Sequence, residues 1–112
     1  MILRSVKVTI AGGQYDAYWS WSREILKLSE KGGIRRAGGP YSYSGPNGEQ
    51  VALWLSVHES ESDASSEFKA LYASGLGREL ILKRPDMVSA SETATYSDWS
   101  EDEGVPPAPP EW

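Results

Sequence analysis

The chain has no cysteine, which excludes disulfides and thiolate metal sites as supports for the fold. It has one histidine, His58, in the run His58-Glu59-Ser60-Glu61-Ser62-Asp63. Without a second soft ligand that run is expected to hold no metal, its acids serving instead a helix start. Phosphate-binding loops are missing too: no Gly-Lys-Ser/Thr follows the glycine pairs, and no dinucleotide-binding spacing occurs. A lone histidine without an arranged nucleophile gives no triad pattern, so neither enzymatic activity nor a cofactor is expected. No stretch approaches the ~18 apolar residues of a membrane span. The opening Met1-Ile2-Leu3-Arg4-Ser5 is too short in apolar run for a secretion leader. A soluble, cytoplasmic chain without a membrane partner is the expectation.

Basic residues are absent from the last fifteen positions, and that absence divides the molecule. Asp98, Glu101, Asp102, Glu103 and Glu111 equal the formal net charge of -5 by themselves. Residues 1–97 are therefore neutral. Pro106, Pro107, Pro109 and Pro110 rule out helix and favour an extended, solvated segment. Yet the segment carries Trp99 and Trp112, an odd choice for solubility alone. Two units are expected: a domain over 1–97 and an acidic, Pro-rich tail over 98–112. The tail's expected contacts with a basic, grooved protein partner are Trp99, Glu101, Asp102, Glu103 and Trp112.

Phenylalanine is scarce as well: one, against five Trp and six Tyr. Trp and Tyr join an apolar face to a polar edge and are enriched at recognition surfaces. The skew favours a binding protein.

Along the chain, Val6, Val8 and Ile10 alternate with polar residues as in a half-buried strand. After Gly12-Gly13, Tyr15, Ala17, Trp19 and Trp21 repeat that period, and aromatics at this density favour a second strand. Residues 31–48 read as a long Gly/Pro/Ser-rich loop with Arg35, Arg36, Tyr41 and Tyr43. Gln50–Val57 is the clearest strand, with Val51, Leu53, Leu55 and Val57 on one side and Ala52, Trp54, Ser56 and His58 on the other. A helix follows, capped by Ser60 or Ser62, with Ala64, Phe68, Leu71 and Tyr72 as its apolar stripe. Leu80 and Leu82 mark a strand over 78–84. Val88, Ala90, Ala94 and Tyr96 are the inward side of a last one. The expected fold is mostly β with one helix, a small antiparallel barrel in the order β-β-β-α-β-β. An open α+β sheet is the alternative.

The segment Glu49–Val57, the helix after it, Arg78–Leu82 and the acidic tail ending in Trp112 together resemble OB-fold single-stranded DNA-binding proteins of bacteria and phages. The resemblance implies that the tail docks on replication and repair proteins through its terminal aromatic and carboxylate. Single-stranded DNA needs aromatic faces for stacking and cations along the phosphates. Trp19, Trp21, Tyr41, Tyr43 and Trp54 are the expected platforms, and Arg35 and Arg36 the expected phosphate contacts. A small barrel with exposed aromatics is also open to homo-oligomerisation. The neutral body supports a competing expectation, a small acidic inhibitor that works by protein–protein binding, as a phage anti-defence or immunity-type antagonist would.

Overall fold

The computed structural model describes residues 1–98 and residue 104. Strand β1 (Ile2–Ile10) leads into helix α1 (Tyr15–Lys31), then strands β2 (Arg35–Ser44) and β3 (Gln50–His58). Helices α2 (Glu61–Leu71) and α3 (Gly75–Lys83), a single 3-10 turn at Arg84–Asp86, and β4 (Val88–Ser97) complete the order. The four strands form one sheet in the order β2-β3-β1-β4, with every neighbouring pair antiparallel. The sheet is open, with β2 and β4 at its edges, and the helices pack on one face. That is the β-α-β-β-α-β arrangement called ferredoxin-like, with its second helix split in two. The expected OB-like barrel is therefore wrong, and the open α+β sheet is what forms.

Three segments account for the difference. Tyr15–Lys31 is helix, not strand. Its buried residues Tyr18, Trp21, Ser22 and Ile25 follow helical spacing, i, i+3, i+4 and i+7. The alternation of Tyr15, Ala17, Trp19 and Trp21 coincided with that stripe only at Trp21. The helix stops in a Schellman motif, with Gly33 at φ +80. The amide of Ile34 donates to the Ser29 carbonyl and that of Gly33 to Glu30.

The Gly-rich stretch expected as a loop is mostly β2. Its register against β3 shifts twice, between Arg36 and Gly38 and between Gly38 and Tyr41. An edge strand tolerates such bulges, along with Pro40. Gly39 is required there, because φ is +74 and a Cβ would stand 2.8 Å from the Leu53 carbonyl oxygen.

Residues 78–84 are helical as well. Leu80 is buried while Leu82 is 66% exposed, so the two leucines do not share a face in the way a strand would require. Gly77 permits the tight turn from α2, because a Cβ there would strike the Leu71 carbonyl oxygen. Helix α2 is as its sequence indicates. Ser60 caps it, accepting from the Asp63 amide at 3.1 Å, and Ala64 is buried.

Register decides which side of each strand meets the helices. Val6 lies opposite Trp54 and Val8 opposite Ala52, so Ala52, Trp54, Ser56 and His58 point toward the helices. Leu53, Leu55 and Val57 lie on the other, open face. Ala90, Ala94 and Tyr96 pair with Thr9, Ser5 and Leu3, which puts them on that open face too. The core is Val8, Ile10, Tyr18, Trp21, Ile25, Ala52, Leu80 and Met87. Each large apolar side chain buried there contributes roughly 1.5–3 kcal/mol.

Candidate functional site

Where α1 and the α2–α3 turn diverge over β1 and β3, they leave a cavity of about 90 Å3. Tyr18, Trp21, Trp54 and Tyr72 wall it with aromatic faces, and Val6, Val8, Ile25 and Phe68 fill the gaps. Its rim is polar: Glu30 and Arg36, whose side chains are 60% and 46% exposed, stand 3.8 Å apart. Arg36 also donates to the Gly39 carbonyl at 2.9 Å. The wall is cross-braced. Trp54 Nε1 donates to the Tyr18 hydroxyl at 2.7 Å, and Trp21 Nε1 donates to the Leu80 carbonyl at 2.7 Å. The Trp21 and Trp54 rings meet edge to face at 6.5 Å.

Two tyrosine hydroxyls in this wall are perturbed. Burial pushes Tyr18 above the ordinary phenol range, against the smaller opposing effect of the Trp54 hydrogen bond. Burial raises Tyr72 also, with the nearby Arg84 charge pulling the other way. Desolvation disfavours the phenolate, so both remain neutral O–H groups at neutral pH.

Beside the cavity, His58 is fully buried and its ring packs 5.5 Å from Phe68. Its Nε2 lies 2.7 Å from the Ser56 hydroxyl, and its Nδ1 contacts the Glu67 carboxylate of α2. Ser56 itself lines the cavity. Register sets Ser56 between two cations, with Arg4 directly opposite on β1 and Arg36 directly opposite on β2.

The expected DNA-contacting residues do not form one surface. Trp21, Arg36 and Trp54 do come together, but around the cavity. Trp21 and Trp54 bond their nitrogens within the wall, so neither is a stacking platform on the outside. Trp19, on α1, packs against the core, edge-on to Tyr18 at 5.6 Å. Tyr41 and Tyr43, 52% and 42% exposed, stand on the opposite face of the sheet. Arg35 pairs with Glu59 at 3.0 Å. The expected tail contacts Trp99, Glu101, Asp102, Glu103 and Trp112 lie outside the described residues. Sequence reasoning missed Tyr18, Ser56, Glu67 and Tyr72 as site residues. The signal for the first was its helical spacing with Trp21 and Ile25. For Ser56 it was the i, i+2 relation to the chain's one histidine.

No family model matches the sequence, and no curated protein sequence matches it. Solved structures do match. A NIPSNAP domain protein from Burkholderia xenovorans superposes with a TM-score of 0.71 at 11% identity, covering 96% of this chain and 100% of that one. The chain shares the fold of NIPSNAP proteins. A NIPSNAP-like protein from the same organism gives 0.68 at 20% identity over 99% of this chain and 93% of its own. A putative antibiotic biosynthesis monooxygenase from Nitrosomonas europaea gives 0.62 at 10% identity, over 89% and 100%. These likenesses establish fold alone. They overturn the resemblance to OB-fold single-stranded DNA-binding proteins, and the DNA-binding function inferred from it. They lend no support to the inhibitor alternative. Among the described residues, no helix is long and apolar enough to cross a membrane, and no group of three His, Cys, Asp or Glu is placed to hold a metal ion.

Proposed function

We propose that this protein binds a compact, largely apolar small molecule in the cavity between its helices and its sheet. The observation that carries the proposal is the aromatic wall, the rings of Tyr18, Trp21, Trp54, Phe68 and Tyr72 around a space whose polar rim includes Glu30 and Arg36. Ligand sites have this character, mostly apolar with a few placed polar groups. The space of about 90 Å3 is smaller than an apolar cavity of about 150 Å3 that holds benzene. The ligand is therefore small, or inserts only its apolar end. A carbonyl or carboxylate at its polar end meets Arg36, and the neutral Tyr18 and Tyr72 hydroxyls offer further donors. At 9–15% identity the neighbouring monooxygenases supply a fold and not a chemistry, so the proposal is one of binding. A cytoplasmic home belongs to the same proposal, since a cysteine-free chain suits a reducing compartment; cell fractionation checks it.

The test is a titration of the full chain with butyrate, benzoate and indole, read on the five tryptophan indole N–H resonances. Assignment uses single Trp→Phe variants. Saturable shifts confined to Trp21 and Trp54 are the expected result. Shifts elsewhere, or none with any of the three at millimolar concentration, would overturn it.

A further inference from the structure

We propose that Ser56 is a nucleophile, activated by His58 and Glu67, that cleaves short-chain acyl esters admitted to the cavity; the substrate class rests on the small-molecule binding proposed above. Three observations converge. The first is order. The Glu67 carboxylate accepts hydrogen bonds only, so the His58 nitrogen facing it, Nδ1, carries the proton. In that tautomer Nε2 accepts the hydrogen bond of the Ser56 hydroxyl 2.7 Å away. Nucleophile, base and orienting carboxylate thus stand in the sequence that acyl transfer uses on many unrelated folds. The second is access. Ser56 lines the cavity, while His58 is sealed behind it and Glu67 is 37% exposed. The third is charge. Arg4 and Arg36 flank Ser56 across the two adjoining strands, at a Cβ separation of about 4.5–5.5 Å for directly opposed residues. Arg4 holds its guanidinium 5.2 Å from the Phe68 ring centre, and its Nε is buried without a hydrogen-bond partner. A buried, unsatisfied donor is costly in a folded protein. Of the two, Arg36 lines the same cavity as Ser56, so a negative oxygen forming there faces a cationic rim.

The chemistry balances without any added redox reagent. Ser56 Oγ attacks the acyl carbon as its proton passes to His58 Nε2, and the carbonyl electron pair moves onto oxygen. Collapse of this adduct breaks the ester C–O bond, and the departing alkoxide takes the proton from His58. Water then attacks the acyl-Ser56 ester, giving its proton to His58, which returns it to Ser56 Oγ. One ester and one water become one acid and one alcohol. Short acyl groups are selected because the cavity is small and apolar.

A purely structural role is the competing account, in which the three residues only pin α2 to the sheet. The experiment treats the full chain with p-nitrophenyl acetate and p-nitrophenyl butyrate. It records p-nitrophenolate release and maps the acylated peptide by mass spectrometry. Acylation of Ser56 is expected, with release falling by about a hundredfold in Glu67→Gln, because the His58 base loses its orienting carboxylate and with it at least the low end of a general base's contribution. Ser56→Ala is expected to lose the label and the release together, and Ser56→Cys to carry the acyl group as a thioester. Label on lysines alone, or release unchanged in Ser56→Ala, would overturn the proposal. The peptide map of the unmutated chain decides the matter even where a variant fails to fold. Butyrate titration of the same proteins separates the two claims. Shifts at Trp21 and Trp54 without acylation would sink the nucleophile and leave the binding site standing. Neither shifts nor acylation would sink both.

Discussion

Trp54 of β3 and Tyr18 of α1 meet through one hydrogen bond, the indole nitrogen donating to the phenol oxygen at 2.7 Å. The bond joins the middle of the sheet to the first helix and forms one wall of the cavity. Trp54→Phe keeps a ring in place but leaves the buried Tyr18 oxygen without its donor. Such a loss costs about 1–3 kcal/mol. Urea unfolding is expected to show a lower midpoint with an unchanged slope, and the affinity for butyrate or indole is expected to fall as well.

Filling the cavity separates binding from stability. Val6 lines it and is half-buried. Val6→Phe is expected to abolish the ligand-induced shifts at Trp21 while costing about 1–3 kcal/mol through overpacking. A variant that still binds all three ligands as the parent does would place the site elsewhere.

Gly77 is the tightest joint in the helical layer. Any Cβ there meets the Leu71 carbonyl oxygen, so Gly77→Ala forces α3 away from α2. The expected loss is at least about 1–3 kcal/mol. A helix-propensity gain is the opposite expectation, because alanine is favoured over glycine in a helix interior. Thermal unfolding of the single variant decides which effect wins.

Alkaline pH should weaken the fold. The Tyr18 and Tyr72 hydroxyls are raised above the phenol value of 10.0 by burial. In the unfolded chain both ionise near that value, while the native state holds its protons longer. Above pH 10 the unfolded state therefore binds fewer protons, and stability falls as pH rises. Below pH 10 the two groups contribute no pH dependence. Urea midpoints at pH 8, 9.5 and 11 are expected to drop only in the last interval, with a shallower drop in Tyr72→Phe. An equal drop in that variant would remove Tyr72 from the account.

How much was legible depends on what each stretch needed from its neighbours. In α2 the Ser60 cap and the Ala64, Phe68, Leu71, Tyr72 stripe are local features, and they specify a helix wherever it packs. The alternations of β1 and β3 are equally local. They divide each strand into two sides without saying which side meets the helices. Trp54 shows the consequence, since its polar-looking side faces α1 while Leu53, Leu55 and Val57 lie on the open face.

By itself the sequence determined which residues prefer burial, where the strands β1, β3 and β4 and the helix α2 run, and where the charge lies. The tertiary structure decided the rest. Tyr15–Lys31 carries apolar residues at periods of both two and 3.6, and only packing of Tyr18, Trp21 and Ile25 against the sheet selects the helix. Strand order is a contact between residues up to 95 positions apart, as Ile2 and Ser97 are, and no local pattern encodes it. The grouping of Ser56, His58 and Glu67 arises the same way. Two of them share one side of a strand by local geometry, but the third arrives only when α2 folds back over β3.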